Sequence, residues 1–257
     1  MKRNAFKAIA AVIAVALLLC SCSHADGTPE IKEKSVSGKI NADDGTTVYS
    51  YEVDYPVIKI PGNKEISKSI NLNIENEIKK VTEPSFDYIA QYNDFISGGT
   101  QYVSGASFSE SFVKTYCDDE IISFEIMLYC HEACAMRDTE ETRGITFSLK
   151  TGDTVSVYDL AADGDDFRET MITATLEQLL SQKKAGKADE VWLENALTVL
   201  DYNGYYWYLT DEYLNILFAP GDAAPVMYGT LKVEIPIDEL MNQPSKGSTA
   251  SVSGVSS

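Results

Sequence analysis

The chain has 257 residues, of which 39 are acidic and 21 are basic, so its formal net charge is −18. A protein with so strong a negative charge is repelled by nucleic acid, which excludes the nucleic-acid-binding classes. Hydrophobic residues make up 44% of the chain. This share is ordinary for a packed core and excludes a wholly disordered protein.

The beginning of the chain has the order of a bacterial lipoprotein export signal. Lys2 and Arg3 precede an apolar run over residues 8–19, and a serine stands directly before Cys22. A positive start and a short apolar core engage the secretion machinery, and a small residue before cysteine permits cleavage. The alternatives are an ordinary signal peptide and an uncleaved anchor, but the run is shorter than the roughly 20 residues that span a bilayer. We predict that residues 1–21 form a lipoprotein signal peptide and that Cys22 carries lipid.

The rest of the chain divides into a tether, a folded domain and a tail. Residues 22–45 are polar and lack an apolar period, which predicts a lipidated tether. Residues 46–242 carry the periodicity of one folded domain, and residues 243–257 are rich in serine and glycine, which predicts a disordered tail. Removal of the signal peptide takes three basic side chains with it, so the formal charge of the mature protein is −21.

A strand and a helix open the folded domain. Residues 48–55 alternate between apolar and polar like an exposed edge strand, and Pro56 favours a sheet edge for their continuation. Apolar side chains then recur at spacings of three and four, which is typical of one face of an amphipathic helix that ends at Pro84. These side chains are Ile66, Ile70, Ile74, Ile78 and Val81.

A β-hairpin is predicted in the middle of the chain. Residues 106–117 and 120–130 are rich in Phe, Tyr, Ile and Val, and the two aspartates between them suit a tight turn. Two more strands are predicted over residues 143–150 and 154–158.

Helices and then strands follow in the last part of the chain. Asp165 or Asp166 is placed to cap a helix, with Glu169 completing a capping box, and a second helix surrounds Trp192 and Leu197. Strands over residues 205–209, 214–218 and 230–235 and a short helix over residues 237–241 complete the domain. Because strands and helices come in separate runs, the predicted class is α+β, with an antiparallel β-sheet packed against helices in a single main domain.

Of the five cysteines, Cys20 leaves with the signal peptide and Cys22 carries the lipid. The other three, Cys117, Cys130 and Cys134, lie in a compartment where disulfides form. In the predicted hairpin Cys117 lies beside the turn and Cys130 lies about ten residues, or roughly 33 Å, along the ladder, so these two are too far apart to bond. Cys130 and Cys134 are four residues apart across a predicted turn and are the better candidate pair, with free thiols as the alternative. We expect Cys117 to be a buried small hydrophobe.

The cysteine loop also contains the sharpest chemical candidate. Cys130, His131, Glu132 and Cys134 are all zinc-ligating types, but their spacing matches no complete set of four ligands, and no metal or cofactor is predicted. A nucleophile would need a base, and His131 is the only plausible imidazole in the folded part, so no catalytic residue is assigned.

Acidic residues allow two further interpretations. Asp159, Asp163, Asp165 and Asp166 are calcium-ligand types, but they lack the spacing of a calcium loop, and helix capping explains them more simply. A hydrolase that uses two carboxylates stays open, although the abundance of acids makes any chosen pair uninformative.

An aromatic run is the candidate recognition feature. Tyr205, Tyr206, Trp207 and Tyr208 follow one another, and Trp192 lies nearby in sequence. Residues of a strand alternate between its faces, so one pair is a candidate for stacking on a sugar or packing on a partner. The alternative, which we favour, is that this strand lies under a helix and its aromatic side chains fill the core.

Several segments together resemble a known family. In chain order they are Tyr55-Pro56-Val57-Ile58, Phe147-Ser148-Leu149-Lys150-Thr151-Gly152-Asp153, Tyr208-Leu209-Thr210-Asp211-Glu212, Ala223-Ala224-Pro225-Val226-Met227-Tyr228-Gly229 and Val233-Glu234-Ile235-Pro236-Ile237-Asp238-Glu239-Leu240. The set resembles a bacterial domain-of-unknown-function family, which forms the extracellular half of lysozyme-sensing anti-sigma factors and the non-catalytic region of some peptidoglycan deacetylases. The resemblance implies an α+β domain at the cell surface that binds a protein or wall component and does no chemistry itself.

The chain departs from that family in two respects. Where the family carries a Gly-Gly-Ala-His-like loop, residues 130–135 read Cys-His-Glu-Ala-Cys-Ala, so neither the conformation nor a binding role of that loop carries over. No sigma-factor-binding segment or deacetylase domain accompanies the matched region, so we expect neither complete function.

The expected function is that of a membrane-anchored surface lipoprotein, exported and held at the bacterial membrane through Cys22, whose non-catalytic domain binds a protein or cell-wall ligand. The negative charge favours a cationic partner, such as a lysozyme-like protein, and disfavours nucleic acid. The alternatives are a cell-wall-acting hydrolase, an accessory subunit of one, and a structural module whose charge serves only solubility.

Overall fold

The computed structural model describes residues 28–99, 105–133, 138–161, 164–186 and 190–241. They form two sheets, of five and three strands, with helices packed on them. The predicted signal peptide, Cys22 and the predicted tail lie outside the described residues. Among the helices of the described part, none is long and apolar enough to cross a membrane.

The first half of the chain forms the larger sheet. Its elements are β1 Glu30–Asn41, β2 Thr47–Lys59, α1 Lys64–Thr82, α2 Tyr88–Ser97, β3 Ala106–Cys117, β4 Ile121–His131 and β5 Thr139–Ser148. The strand order is β1-β2-β3-β4-β5, and neighbours are antiparallel except β2 and β3, which run parallel. The sheet is therefore mixed. The helices α1 and α2 lie between β2 and β3 in the chain and provide the long crossover that a parallel pair needs.

The strand β1 corrects the predicted tether over residues 22–45. It pairs with β2 along its whole length, so the domain begins at Glu30 rather than at residue 46. Ile31 and Val36 pack against the core of the larger sheet. The other side chains are mostly charged or small and polar, as expected of an edge strand that must not pair with other chains. Such a composition is hard to tell from a tether in the sequence alone.

The strand β2 lies between β1 and β3, which corrects its predicted edge position. Its pairing with β3 ends at Asp54, so Pro56 lies where only β1 pairs with β2, in keeping with the exclusion of proline from the interior of a sheet. Beyond this point the side chain of Asn71 in α1 accepts a hydrogen bond from the N–H of Ile58 and donates one to its C=O, both 2.8 Å. A side chain of the helix thus provides the hydrogen-bond partners for the backbone of Ile58 that β3 does not provide.

The helix α1 confirms the predicted amphipathic pattern. It begins after Asn63, whose side chain accepts a hydrogen bond from the N–H of Ile66, and it ends before Pro84. Its apolar face packs on the sheet and joins one core with Val53 and Phe124. The buried residues of this face are Ile66, Ile70, Ile74, Ile78 and Val81.

The second half of the chain forms the smaller sheet and its helices. Its elements are α3 Gly164–Lys184, α4 Leu193–Asp201, β6 Tyr206–Leu209, β7 Tyr213–Phe218, β8 Leu231–Pro236 and α5 Ile237–Met241. The strand order is β6-β7-β8, all antiparallel. These elements agree with the predicted helices and strands to within a few residues at most ends.

Two details of this half differ from the prediction. Val157–Leu160 is a 3₁₀-helix rather than part of a strand over residues 154–158, because Ser156 and Asp159 form a capping box that turns the chain. The helix α3 begins at Gly164, so the two aspartates predicted to cap it lie in its first turn.

The two sheets touch backbone to backbone. A Cβ atom at Gly144 in β5 would lie 2.1 Å from the carbonyl oxygen of Trp207 in β6, so no larger residue fits there. Nearby, the buried hydroxyl of Ser123 accepts a hydrogen bond from the N–H of Leu209 (3.0 Å) and bonds to the hydroxyl of Thr146 (2.7 Å). Buried polar groups that are paired in this way fix how two layers meet. The two sheets therefore form a single α+β domain.

Candidate functional site

A cavity of about 260 Å³ lies where the two sheets meet. The turn of the β3–β4 hairpin, the 3₁₀-helix, the start of α3, the β6–β7 connection and α5 surround it. Eight apolar side chains, one tyrosine and three carboxylates line it: Tyr116, Asp118, Glu120, Ile121, Val155, Asp159, Leu160, Phe167, Leu209, Leu214, Ile237 and Leu240. The combination of an apolar lining with a few converging polar groups is typical of a binding site.

The deepest part of the cavity belongs to the core of the smaller sheet. Phe167, Leu209 and Leu214 are buried members of that core. Ile121 and Leu160 are half-buried and pack against it, so part of their surface faces the cavity. The site is therefore built on packed helices and strands rather than on a loose surface loop.

Asp118 stands at the rim of the cavity and is held ionised. Its Oδ1 accepts hydrogen bonds from the N–H groups of Glu120 and Ile121, each 2.8 Å long. Its Oδ2 accepts one from the hydroxyl of Tyr116, 2.9 Å long. Partial burial by itself raises the pKa of Asp118, but these hydrogen bonds outweigh it and lower the pKa below its usual value. The carboxylate is therefore negative at neutral pH.

Tyr116 connects this carboxylate to the apolar lining. Its ring packs against the core of the smaller sheet. Burial, and then the hydrogen bond to Asp118, raise the pKa of its phenol to about 12. The hydroxyl therefore stays protonated and keeps donating to Asp118.

Two more carboxylates complete the rim. Glu120 forms an ion pair with Lys150, and both side chains are exposed. The Oδ2 of Asp159 accepts a hydrogen bond from the N–H of Ser156, 3.1 Å long, within the capping box of the 3₁₀-helix. Asp159 thus caps a helix, the 3₁₀-helix Val157–Leu160, and helix capping is the role that the sequence favours over calcium binding. Asp163 lies outside the described residues. For Asp165 and Asp166 the structure describes the helical backbone but not the side chains.

The aromatic strand alternates between faces as predicted, but both faces are covered. Tyr205 and Trp207 are each 9% exposed and belong to the core of the smaller sheet. On the other face Tyr208 is buried and donates a hydrogen bond to a glutamate of β4. Tyr206 is half-buried, with the guanidinium of Arg143 5.5 Å from its ring centroid. Three of these four residues are therefore core residues, in agreement with the favoured interpretation that the aromatic side chains of this strand fill the core.

Trp192, the fifth aromatic candidate, is 39% exposed. Its backbone N–H donates a hydrogen bond to the C=O of Ala223, 2.7 Å long. Trp192 does not line the cavity. It stays a separate prediction for a ligand contact.

The cysteine loop lies at the other end of β4 from the cavity. Cys117 pairs with Ile122 beside the hairpin turn, and Cys130 lies opposite Phe108 at the far end, which confirms that these two cysteines are far apart. Cys117 is half-buried rather than buried. Burial raises the pKa of the Cys130 thiol to about 11. Cys134 lies outside the described residues, so its bond to Cys130 stays a prediction.

His131 lies at the end of the same strand. Its Nδ1 is 2.6 Å from Oδ1 of Asp138, and the hydroxyl of Tyr129 donates to the same carboxylate. Both hydrogen bonds lower the pKa of Asp138, and the one from Tyr129 has the larger effect. Within the described part of the chain, no three or more His, Cys, Asp or Glu side chains are grouped so that they would hold a metal.

The sequence does not reveal this cavity. Asp118 is recognisable as a turn residue and Asp159 as a helix cap, but neither pattern indicates a binding site. The apolar lining comes from separate segments between residues 116 and 240, and nothing local distinguishes Leu160 or Ile237 from other core residues. The only sequence signal that bears on the site is the excess of acidic side chains.

Part of the chain matches a known protein family. Residues 158–238 match the model of a family described as a protein of unknown function, DUF3298. A DUF3298 family member from Bacteroides fragilis has a similar structure, with a TM-score of 0.59, 13% identity, and coverage of 84% of this chain and 94% of that chain. A DUF3298 family protein from Pseudomonas aeruginosa has a TM-score of 0.51, 14% identity and the same coverages of 84% and 94%. No curated protein matches the chain.

Residues 158–238 match the model of the DUF3298 family, and the chain has the α+β fold of solved members of that family. The cavity takes some of its lining from the matched residues, such as Leu160 and Leu214, and some from outside them, such as Tyr116 and Val155. Both parts of the structure are therefore needed to form it.

Proposed function

We propose that this chain, in which residues 158–238 match the DUF3298 family, is a membrane-anchored bacterial surface lipoprotein whose folded domain binds a cationic protein or cell-wall ligand. The observation that carries the proposal is the acid-rimmed apolar cavity between the two sheets. The expected resemblance to the sensing half of lysozyme-sensing anti-sigma factors, and to the non-catalytic region of peptidoglycan deacetylases, is part of this proposal. A basic, lysozyme-like protein is the partner that fits it best.

The charge of the molecule supports a cationic partner. The formal charge of −18 attracts basic proteins over the distance of the Debye length, about 10 Å at 0.1 M salt. The lining of the cavity contains three carboxylates, Asp118, Glu120 and Asp159, of which Glu120 pairs with Lys150. Long-range attraction and the local rim therefore favour the same kind of ligand.

The state of the rim carboxylates supports binding rather than acid–base catalysis. Asp118 is held ionised, and the Asp159 side chain is engaged in capping the 3₁₀-helix, so neither is placed as a proton donor. The alternative of a cell-wall hydrolase needs a carboxyl with a raised pKa that faces a cleft. Glu110 has such a pKa, about 7, but it is buried and does not line the cavity.

Attachment to the membrane is proposed from the sequence. Cys22 lies outside the described residues, and the folded domain begins at Glu30, so a short segment of residues separates the lipid from the first strand. Because an anionic domain is repelled by anionic lipid, the lipid on Cys22 would provide the attachment.

Binding is tested by titrating the mature chain with a basic lysozyme and, separately, with soluble peptidoglycan fragments. We expect the lysozyme to bind and its affinity to fall steeply between about 50 mM and about 500 mM salt, because the attraction between exposed charges is screened. An acidic protein of similar size serves as the control and should not bind.

A matched pair of variants separates the rim from the overall charge. Glu120→Gln and Glu33→Gln each remove one exposed carboxylate, but only Glu120 lines the cavity. We expect Glu120→Gln to weaken binding by about two- to fivefold, the usual effect of an exposed ion pair, and Glu33→Gln to leave it nearly unchanged. Turnover of wall fragments without any binding of a basic protein would favour the hydrolase instead.

A further inference from the structure

We infer that the cavity between the two sheets receives a single arginine side chain of the cationic partner. This inference rests on the proposed function and specifies which group of the partner the site recognises. It follows from the size of the cavity, its apolar lining and the chemistry of its rim.

The size of the cavity fits one long side chain. Its volume of about 260 Å³ lies below the range of about 300–1,000 Å³ that is usual for sites of whole small-molecule ligands. A protein partner commonly anchors itself by inserting one large side chain into such a pocket, and arginine is among the residues used most often.

The lining fits the apolar stem of that side chain. Leu160, Ile121 and Ile237 are half-buried and offer apolar surface to the cavity. Arginine buries its methylene stem along apolar surface while its charged head stays at the polar edge. The position of the carboxylates at the rim, with apolar residues below them, matches this division.

The rim fits a guanidinium group better than an ammonium group. A carboxylate has about four acceptor positions, and three of those of Asp118 are taken by Glu120, Ile121 and Tyr116. The one acceptor position left on Asp118 would accept a hydrogen bond from one N–H group of the ligand. The carboxylate of Asp159 would accept a second. A guanidinium presents five donors in one plane and stacks on aromatic rings such as that of Tyr116, whereas an ammonium is a strongly hydrated point charge.

Other occupants fit less well. A second copy of this chain carries the same negative charge and is repelled. A neutral apolar ligand would take water away from the rim carboxylates without supplying a charge to them, which is unfavourable. A phosphate or an anionic lipid would be repelled by the same carboxylates.

The experiment uses small probes and the mature chain. Nuclear magnetic resonance follows the amide signals of Ile121, Leu160 and Leu214 during titration with n-butylguanidinium, n-butylammonium and 1-pentanol. We expect n-butylguanidinium to bind in about the millimolar range, and about tenfold more tightly than neutral 1-pentanol of similar length. n-Butylammonium should lie between them, because it keeps the charge but not the planar donors.

Two variants test whether the signal comes from the cavity. Val155→Phe places an aromatic ring in the cavity and should abolish the amide signal shifts that n-butylguanidinium causes. Val155→Ile adds only one methyl group and should preserve them. Glu120→Gln leaves the apolar lining intact and should weaken the binding of n-butylguanidinium by about two- to fivefold, with Glu33→Gln as the unchanged control. The glutamine variants keep the test valid if Val155→Phe does not fold.

Three results would overturn the inference. They are equal binding of 1-pentanol and n-butylguanidinium, binding of n-butylguanidinium that Val155→Phe leaves unchanged, and shifts confined to residues away from the cavity. If the basic protein binds but Val155→Phe does not weaken it, the proposed function stands and the arginine site fails. If no basic protein or wall fragment binds, both fail.

Discussion

At the scale of single residues, Glu110 is a carboxyl group that folding removes from water. It lies in β3 and is 6% exposed. Burial raises its pKa from 4.5 to about 7, and the nearby charge of Glu77 adds to this, while Arg143 and Lys80 oppose it. The folded protein therefore holds a proton on Glu110 at pH values where the unfolded chain has released it.

This difference predicts how stability depends on pH. Between pH 4.5 and about 7 the folded state binds more protons at Glu110 than the unfolded state, so its contribution to stability falls as the pH rises through this window. The expected loss is on the order of 3 kcal/mol, since each pKa unit corresponds to about 1.4 kcal/mol. We expect Glu110→Gln to remove this loss and to be more stable than the wild type at pH 8, but not at pH 4.

Denaturant unfolding of both proteins at pH 4, 6 and 8 measures this effect. Glu33→Gln is the matched control, because it also removes one carboxylate and that carboxylate is exposed. The same fall in stability in Glu110→Gln as in the wild type would show that another group is responsible.

At the scale of elements, local patterns predict helices better than they predict the edges of sheets. The isoleucine face of α1 is fully recoverable from the sequence, because a buried helix must repeat its apolar residues every three or four positions. The strand β1 is not recoverable in this way, because an edge strand buries little of its surface and carries charges for protection. Its role depends on β2, which lies beyond it in the chain.

The corrected start of the domain predicts the effect of a truncation. Removal of residues 28–41 would take away the whole pairing of β1 with β2 and uncover buried residues such as Val53 and Ile58. We expect a loss of several kcal/mol, because each fully buried aliphatic side chain contributes about 1.5–3 kcal/mol. Thermal or denaturant unfolding measures the change.

Removal of residues 243–257 is the control for this truncation, since they are predicted to be a disordered tail and their loss should not change the unfolding midpoint. A chain that keeps full stability without residues 28–41 would restore the tether interpretation.

At the scale of the whole molecule, the proposed lipid attachment makes a prediction about where the protein is found. The proposed lipid on Cys22 predicts that the native protein stays with the membrane fraction and that Cys22→Ser releases it into the soluble fraction. The mass of the mature protein tests this directly, because lipid adds to the mass of a chain that begins at Cys22. An unmodified Cys22 in the native host would contradict the proposed localisation.

The sequence by itself determined the features that repeat along the chain: the amphipathic helix α1, the β3–β4 hairpin with Cys117 and Cys130 at opposite ends, the strands of the smaller sheet and the negative charge. Each of these is encoded by neighbouring residues, because a helix or strand forms its backbone hydrogen bonds and apolar face from a continuous segment or from a nearby one.

Only the tertiary structure decided which polar and aromatic residues meet. It paired β1 with β2 and brought Asp118, Tyr116 and Asp159 to the rim of one cavity. The physical reason is that the cavity is lined by segments far apart in the chain, and their meeting depends on how the two sheets pack at Gly144. No local period in the sequence records that packing.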